Sequence, residues 1–219
     1  WNTASFTATV IPADANIGNC TLYHNASGTW KSNVTITNAV NGSSNSFATI
    51  TVSDGLFVWD VECRDLAGNT AFNGSNFTAR IDTASPSAFN LTSPSNGTIL
   101  ANVTPFFRWN VTTEANFANY TLEVSNGTNF ATINYSAIST VRTEANATAN
   151  LSTDKTWYWR VIAFDLAGNN AKSPYFIYIT DTTNPVVKLD SPSNNSFAGS
   201  NARVTFTFTA TDTNLKNCT

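Results

Sequence analysis

Charged residues are scarce in this chain of 219 residues. Asp, Glu, Lys and Arg together make up 11% of it, and the formal net charge is −3. A weakly acidic chain offers no basic patch of the kind that binds phosphate backbones, so we expect no nucleic-acid partner. Uncharged polar residues must supply the solubility instead, and the sequence contains 30 Asn, 21 Ser and 34 Thr.

Long apolar runs and export signals are also lacking. No run of 18 or more apolar residues occurs, so no membrane span is expected in this stretch of sequence. No signal peptide is visible. Because we interpret the sequence as an internal stretch of a longer protein, neither the missing membrane span nor the missing signal peptide argues against export or anchoring. The absence of methionine fits an internal stretch as well.

Patterns of catalytic residues are missing as well. The single histidine, His24, shares a face with Cys20 and Leu22 and has no acidic residue at metal-ligand spacing, so we expect it to pack against its neighbours. The nucleophile motif Gly-x-Ser-x-Gly and the glycine loops that bind phosphate do not occur. We therefore expect that this chain is not an enzyme.

What the sequence does contain is a repeat at a spacing of about 100 residues. Residues 59–69, WDVECRDLAGN, return as residues 159–169, WRVIAFDLAGN. Residues 19–22, NCTL, return as residues 119–122, NYTL. Repeats of this length are whole domains, so the sequence predicts a tandem array and not one enzyme fold.

The local pattern is that of β-strands. Apolar residues alternate with polar ones, as at Val204, Phe206 and Phe208. The same alternation places Trp59 and Trp159 on faces that we expect to be buried. No stretch shows an apolar stripe at helical spacing. Seven or so short strands in about 100 residues are typical of a two-sheet β-sandwich, so an all-β fold is predicted.

The repeat predicts three domains. We expect residues 1–83 to form a β-sandwich that lacks its first strand and residues 84–183 to form a complete one. Residues 184–219 are expected to be the first strands of a third, truncated domain. Both ends would then fall inside domains, so we interpret the chain as part of a longer protein. The alternative is a complete chain whose missing strands come from neighbouring copies.

Residues 84–183 resemble a fibronectin type III domain, part of the immunoglobulin-like superfamily. The resemblance rests on a first strand led by Pro86, on Trp109 in the second strand, on YTLEV from Tyr120 and on WYWRVIAFD from Trp157. It implies tandem immunoglobulin-like (fibronectin type III-like) β-sandwiches. Such domains serve many unrelated tasks, so the resemblance indicates a fold more than a function.

The first copy is similar to immunoglobulin-like repeats of archaeal cell-surface proteins. It has a Cys-Thr-Leu-Tyr strand from Cys20, followed by the segment Gly-Thr-Trp from Gly28. From Trp59 it has the pattern Trp-x-Val-x-Cys-x-Asp-x-Ala-Gly-Asn. This resemblance implies an extracellular location on the cell surface.

The cysteines support the repeat. Cys20 and Cys63 occupy positions that hold Tyr120 and Ala163 in the next copy, as a shared packing site would require. We predict a disulfide between Cys20 and Cys63, which would stabilise the fold by roughly 3–4 kcal/mol through loop entropy. An intermolecular bridge is the alternative. Cys218 would open the third copy, with its partner about 43 residues further along the chain.

Asparagine is arranged in glycosylation sequons more often than chance predicts. The sequence has 17 Asn-x-Ser/Thr sites, about twice the number that this composition gives in random order. Asn and Thr also suit turns and strands, which explains their abundance but not their pairing. Asn19 and Asn119 flank predicted core positions. We predict covalent N-glycans at Asn25, Asn33, Asn41, Asn73, Asn76, Asn90, Asn96, Asn102, Asn110, Asn126, Asn134, Asn146, Asn150 and Asn194.

Calcium is an alternative interpretation of the acidic residues near the domain joints. Asp82 and Asp181 lie in the predicted linkers, and Glu114 and Asp165 lie in loops expected near the first linker. Carboxylates of Asp82, Glu114 and Asp165 could hold a structural Ca²⁺ ion. The simpler interpretation is that Asp-Leu-Ala-Gly-Asn forms a hairpin turn, and that no cofactor is bound.

Three functions fit these observations. The first is an extracellular glycosylated structural protein, a repeat segment of a surface filament, sheath, stalk or S-layer-type assembly, with copies of itself as partners. The second is an adhesin or carbohydrate-binding module that uses Tyr23, Tyr158, Tyr175 and Tyr178, expected to face away from the core. The third is an accessory region of a larger secreted enzyme. Repetition, sequons and the predicted disulfide favour the first.

Overall fold

The structure is a computed structural model that describes residues 3–142, 146–200 and 202–219. The described residues form twenty β-strands and no helix, so the all-β prediction is confirmed. It follows that no helix among them could cross a membrane. The strands are β1 Thr3–Phe6, β2 Thr9–Val10, β3 Ile17–His24, β4 Lys31–Ile36, β5 Asn45–Ser46, β6 Ile50–Ser53, β7 Gly55–Asp65, β8 Thr70–Phe72, β9 Phe77–Ile81, β10 Leu91–Ser93, β11 Thr98–Leu100, β12 Phe106–Trp109, β13 Phe117–Ser125, β14 Tyr135–Ser139, β15 Asn146–Thr148, β16 Lys155–Asp165, β17 Asn170–Lys172, β18 Phe176–Thr180, β19 Val186–Ser191 and β20 Thr207–Thr211.

The chain divides into two compact units. The first comprises residues 1–85 with 166–169, and the second comprises residues 86–165 with 170–219. Residues 184–219, predicted to belong to a third domain, thus fall within the second unit. The division into three domains stays a prediction.

The second unit contains a β-sandwich. One sheet has the strand order β10–β12–β15, and the other has the order β11–β18–β16–β13–β14, with β17 beside β16. Neighbouring strands are antiparallel, except that β11 and β18 run parallel. The core lies between the sheets and consists of Phe89, Leu91, Phe107, Trp109, Tyr120, Leu122, Val124, Ala149, Leu151, Trp157, Trp159, Val161, Ala163 and Tyr178.

Strand β16 shows why this sequence forms a sandwich strand. Trp157, Trp159 and Val161 alternate with polar or amphipathic residues, and all three are buried against the smaller sheet. Tyr158 and Arg160 lie between them in sequence and are partly exposed. Since side chains of a strand point to alternate faces, this period of two places the apolar set in the core.

The first unit has a smaller core. Its main sheet has the order β4–β3–β7–β8, with β9 also beside β7, and the pairs β1–β6 and β2–β5 complete it. Trp59 was expected at the core centre, but it is only partly buried and its ring stacks on that of Phe77, which is 55% exposed. In the second unit the Phe107 ring packs 4.6 Å from that of Trp159, whereas in the first unit the Phe6 ring meets that of Trp59 at 5.8 Å.

The repeat extends to an irregularity of strand pairing. In the first unit the register between β3 and β7 shifts between Ile17 and Asn19 and resumes with Asn19 opposite Arg64. In the second unit the register between β13 and β16 shifts at the equivalent place and resumes with Asn119 opposite Phe164. A Cβ atom added at Gly18 would lie 3.1 Å from the Arg64 carbonyl oxygen, a tight contact, whereas the second unit has Ala118 at this position.

The last segment of the chain is a two-stranded pair. Strands β19 and β20 are antiparallel, with Leu189 opposite Phe208. Leu189 is 81% exposed and Phe208 is 51% exposed. The peptide bonds Ser93–Pro94 and Ser191–Pro192 are both cis, and each opens a copy of the sequence SPSN, at residues 93–96 and 191–194.

Candidate functional site

The predicted disulfide is present between the two central strands of the first unit. Cys20 of β3 and Cys63 of β7 are directly opposite each other, with their sulfur atoms 2.00 Å apart. In the second unit, Tyr120 and Ala163 are likewise opposite each other, and both are fully buried. The Tyr120 hydroxyl accepts a hydrogen bond of 2.7 Å from the Thr112 amide. The disulfide of the first unit and the Tyr120–Ala163 pair of the second unit therefore occupy equivalent positions of the repeat.

The single histidine occupies a structural position. His24 is 4% exposed, and its ring lies edge-on to Phe57 at 6.2 Å. Its Nδ1 atom accepts a hydrogen bond of 3.2 Å from the Ala26 amide, while Nε2 is buried without a hydrogen-bond partner among the described residues. Burial, with a smaller contribution from the charge of Lys31, lowers the pKa of His24. This environment favours the neutral ring and fits a packing role.

Acidification should destabilise the first unit through His24. Because folding lowers the pKa of His24, the unfolded chain takes up the proton first, at about pH 6.5. We expect full stability above that pH and a progressive loss as the pH falls toward the lower pKa of the folded state. Thermal unfolding followed from pH 7 to 5 measures the effect. The His24→Gln variant, which has no titratable group at this position, should show a flatter dependence of the unfolding midpoint on pH. The same pH dependence in the variant and the unsubstituted protein would contradict this role.

The predicted glycosylation sites lie on the surface. Thirteen of the fourteen asparagines are exposed, and Asn25 is partly buried, with its side-chain oxygen accepting a 2.7 Å bond from the Val58 amide. Asn19 and Asn119, which were left out of the prediction, are partly buried in β3 and β13. Surface exposure is required for a covalent glycan, so the geometry is compatible with all thirteen exposed sites. Glycosylation itself stays a prediction.

The acidic calcium candidates have local structural partners. Asp82 accepts a 3.1 Å bond from the Ala84 amide, and Glu114, 8% exposed, accepts a 2.7 Å bond from the Asn116 amide. Asp165 is 3% exposed. Across residues 3–142, 146–200 and 202–219, no group of three or more His, Cys, Asp or Glu residues is arranged to hold a metal ion. The calcium site therefore remains a prediction.

One of these acids, Glu114, belongs to a turn that recurs at equivalent positions of the repeat. The carboxylates of Asp14, Glu114 and Asp212 each accept a 2.7 Å hydrogen bond from the amide two residues later. The repeat alignment of Asp14 with Glu114 could have identified this turn, because acidic side chains commonly cap such backbone bends. A structural reason for the acidic residue is thus available at each copy.

Sequence reasoning missed a second use of aspartate, in the residues that follow β18. Asp154 accepts a 2.7 Å bond from the Thr182 amide and a 3.1 Å bond from the Thr183 hydroxyl. In the first unit, Asp54 accepts a 3.2 Å bond from the Thr83 amide in the same way. The sequence signal is an Asp followed 29 residues later by a Thr, which occurs at Asp54 and Thr83 and again at Asp154 and Thr183. Asp54 therefore holds the segment that follows β9, and Asp154 holds the segment that follows β18.

The Asp154 contact should depend on pH. The bond from the Thr182 amide is the main cause that lowers the pKa of Asp154, against desolvation, which raises it. The contact is therefore expected to persist above about pH 3.9 and to weaken as the pH falls through the lower folded pKa. Hydrogen exchange of the Thr182 amide, corrected for its intrinsic rate, measures this.

Asparagine is the matched substitution at this position. Asp154 has a φ of 53°, which Asn tolerates, so Asp154→Asn keeps the backbone and removes only the titratable group. We expect the protection of the Thr182 amide in this variant to be independent of pH between 5 and 2. Equal pH dependence in both proteins would rule out Asp154 as the cause.

The tyrosines expected to face away from the core divide into two groups. Tyr178 was placed wrongly, because it is fully buried in β18 and its hydroxyl donates a 2.6 Å bond to the Asn102 carbonyl. Tyr23 and Tyr158 are partly exposed, and Tyr175 is 43% exposed. The register of β18, which the sequence alone does not give, decides which of its side chains enter the core.

Comparison with known proteins gives likeness of fold only. No protein-family model and no curated protein matches the chain. The FN1–FN3 domains of chicken CNTN1 are 16% identical with a TM-score of 0.47, and the match covers 81% of this chain and 63% of that one. A set of titin domains is 16% identical with a TM-score of 0.45, covering 82% and 59%. A 1.5-MDa bacterial ice-binding adhesin is 15% identical with a TM-score of 0.38, covering 87% and 62%.

The architecture can now be named from the sheets themselves. It is an all-β architecture in which the second unit is a two-sheet β-sandwich. The chain spans less than two thirds of the length of the CNTN1, adhesin and titin chains it matches. A fold of this kind is compatible with many functions, so the function of this chain has to be inferred from its surface.

Proposed function

We propose that this chain is a segment of an extracellular, glycosylated structural protein. Its sandwiches would be repeat units of a surface filament, sheath, stalk or S-layer-type assembly, in which copies of the same protein are the partners. The observation that carries the proposal is the distribution of sequons, since thirteen of the fourteen predicted sites are exposed while the excluded Asn19 and Asn119 are partly buried.

The disulfide and the surface composition support an extracellular location. Disulfides persist in oxidising compartments and on cell surfaces, and Cys20 and Cys63 form one in the first unit. N-glycans would also supply the hydration that a surface with only 11% charged residues lacks. The similarity of the first copy to repeats of archaeal surface proteins points in the same direction.

The titratable groups in the interior have structural uses. His24 packs against Phe57, Glu114 caps a turn, and Tyr178 holds the Asn102 carbonyl. Each of these groups is thereby engaged in maintaining a sandwich. This favours a structural role over catalysis, because a catalytic site needs titratable groups aimed at a space where substrate can bind.

Mass measurement on the native protein tests the glycosylation. We expect the intact mass to fall strongly on chemical deglycosylation, and glycopeptide mapping to find sugar at several of the fourteen exposed or partly exposed sites but not at Asn119. Loss of no mass would overturn the glycoprotein proposal. A deglycosylated mass far above 23.6 kDa would in addition support a longer array.

Imaging of the native assembly tests the structural role. Electron microscopy of isolated surface material should show regular filaments, sheaths or lattices that an antibody against this chain decorates along their length. Label confined to occasional surface particles would contradict a repeat segment of a polymer. Mild reduction should make the assembly less stable than it is under non-reducing conditions, since the disulfide stabilises the first unit.

An adhesin is the second candidate, favoured by exposed aromatic residues of the second unit. Tyr175 is 43% exposed, and its ring lies 5.5 Å from that of Tyr158 and 6.2 Å from that of Phe130. The Arg160 guanidinium covers the Phe130 ring at 4.1 Å. Screening against immobilised polysaccharides would test this function, and retention that Tyr175→Ala does not weaken would exclude this surface.

A further inference from the structure

Three aromatic side chains form a cluster on the first unit. The ring of Tyr23, in β3, stacks on that of Trp30 at a centroid distance of 6.1 Å and an interplanar angle of 22°. The ring of Phe72, at the end of β8, meets Tyr23 edge-on at 5.1 Å. We call Tyr23, Trp30 and Phe72 the aromatic cluster. Tyr23 lies in β3, Trp30 directly precedes β4 and Phe72 ends β8, so the rings come from strands of one sheet in which β7 lies between β3 and β8.

The cluster lies on the outer side of that sheet. Cys20 and Leu22 of β3 are buried in the core, so the alternating Thr21 and Tyr23 face outward. Trp30 is 43% exposed and Phe72 is 46% exposed. Contiguous exposed apolar side chains often mark binding sites, so the cluster is a candidate surface for a ligand.

A hydrogen bond holds the central ring in place. The Tyr23 hydroxyl donates a 3.0 Å bond to the Glu62 carboxylate in β7. This bond is the main cause that raises the pKa of Tyr23, which therefore stays protonated. The Glu62 carboxylate also offers acceptor positions for hydroxyl groups beside the rings. The surface thus combines preorganised apolar rings with a polar acceptor.

The size of the cluster fits a sugar better than a protein. Three aromatic side chains cover roughly 150–250 Å² each when fully buried, and about half of Trp30 and Phe72 is already covered. A stable protein interface needs about 800 Å² on each partner. One or two pyranose rings present an apolar C–H face of suitable area and hydroxyl groups around its edge, which suits the rings and Glu62 respectively.

A predicted glycosylation site is directly beside the cluster. Asn33 is exposed in β4, next to Ser32, which is the register partner of Tyr23. The register between β3 and β4 shifts here, so Asn33 and Val34 lie together opposite Leu22, and Asn33 is exposed in a strand at the edge of the sheet. The hydroxyls of Thr35 and Thr21 are 2.9 Å apart, so Thr35 shares the outer face with β3.

We propose that the saccharide linked to Asn33 lies on the aromatic cluster, which is therefore an intramolecular glycan-binding site. The inference rests on the glycosylation included in the proposed function. Trp30 precedes Asn33 by three residues, about 10 Å along an extended strand, which two sugar rings can span. Because the sugar is tethered, its effective concentration reaches about the millimolar range, so weak stacking suffices.

A double-mutant cycle on the glycosylated chain tests the proposal. Trp30→Ala, Asn33→Gln and the combined variant are compared with the unsubstituted protein by the thermal unfolding midpoint of the first unit. We expect Trp30→Ala to lower the midpoint by about 4 °C when the Asn33 glycan is present and by less than half as much when it is absent. Asn41→Gln, which removes another exposed sequon of this unit, is the matched control and should leave the effect of Trp30→Ala unchanged.

Proton NMR supplies a second readout that does not depend on stability. Protons of the Asn33-linked sugar should be shifted upfield by the aromatic rings, and Trp30→Ala should reverse the shift. Additive midpoints in the cycle together with unshifted sugar protons would overturn the proposal. Binding of soluble chitobiose to the Asn33→Gln variant without coupling in the cycle would also overturn it, in favour of an external saccharide.

Glycopeptide mapping distinguishes a failure of this inference from a failure of the proposed function. An unoccupied Asn33 in a protein glycosylated elsewhere would overturn this inference and leave the proposed function standing. A protein without glycan at any site would remove both. An occupied Asn33 that shows no coupling to Trp30 would remove the binding site alone.

Discussion

Replacing Trp159 with alanine is expected to destabilise the second unit by about 3–5 kcal/mol. The side chain is fully buried at the centre of the core between the two sheets. Its ring lies 4.6 Å from that of Phe107 on the opposite sheet and 5.8 Å from that of Phe176. Alanine would leave a cavity that residues on two hydrogen-bonded sheets cannot close, so the transfer and cavity costs add.

Thermal or denaturant unfolding measures this effect. For a unit of about 130 residues, 3–5 kcal/mol corresponds to a fall of at least about 10 °C in the midpoint. Tyr158→Ala is the matched control, because Tyr158 is the neighbouring residue of the same strand but is partly exposed. A midpoint that Trp159→Ala leaves unchanged would show that Trp159 is not at the centre of the core.

Phenylalanine at the same position separates packing from polarity. The indole nitrogen of Trp159 is buried without a hydrogen-bond partner among the residues that the structure describes. An unpaired buried N–H group costs about 1–3 kcal/mol, so removing it offsets part of the lost volume. Trp159→Phe should therefore destabilise the unit much less than Trp159→Ala does.

The strands that repeat could be predicted from the sequence. The offset of 100 residues placed Trp157, Trp159 and Val161 on one face of a strand, and these residues are buried. The same offset predicted that Cys20 and Cys63 are neighbours, since Tyr120 and Ala163 replace them as a large and a small side chain. Covariation between two copies in one chain supplied long-range information that single positions do not carry.

Other features could not be predicted because they depend on register. Tyr178 was expected on the surface, but β18 pairs with β16 in a register that turns it into the core. Trp59 was expected on a buried face, but it is only partly buried, and its stacking partner Phe77 is itself 55% exposed. The hydrophobic pattern of one strand does not reveal what the opposite sheet contributes.

The aromatic cluster shows the same limit of local patterns. Tyr23 could be assigned to an outer face by alternation, but its contacts with Trp30 and Phe72 join parts of the chain that are not adjacent in sequence. The pairing of β3 with both β4 and β7 brings them together. The sequons beside these residues were visible in the sequence, while their position next to the rings required the sheet order.

Removing the disulfide should destabilise the first unit by roughly 3–4 kcal/mol. Cys20 and Cys63 close a loop with a sequence separation of 43, so the bond restricts the unfolded chain substantially. Cys20 is fully buried, and its unit has a smaller core than the second unit. Unfolding of the Cys20→Ala, Cys63→Ala double variant measures the loss, and the second unit, which contains no disulfide among its described residues, serves as the internal control.

The repeat itself supplies the decisive variant. Cys20→Tyr combined with Cys63→Ala reproduces the pair Tyr120 and Ala163, which are opposite each other and fully buried in the second unit. If the two copies share one packing site, this variant should recover part of the stability that the alanine pair loses, although it has no cross-link. Tyrosine fills the space next to a small partner, and its hydroxyl needs an amide donor such as the one Thr112 gives to Tyr120. Equal stability of both variants would show that the bond contributes through the unfolded chain alone, and that the two sites are not equivalent in packing.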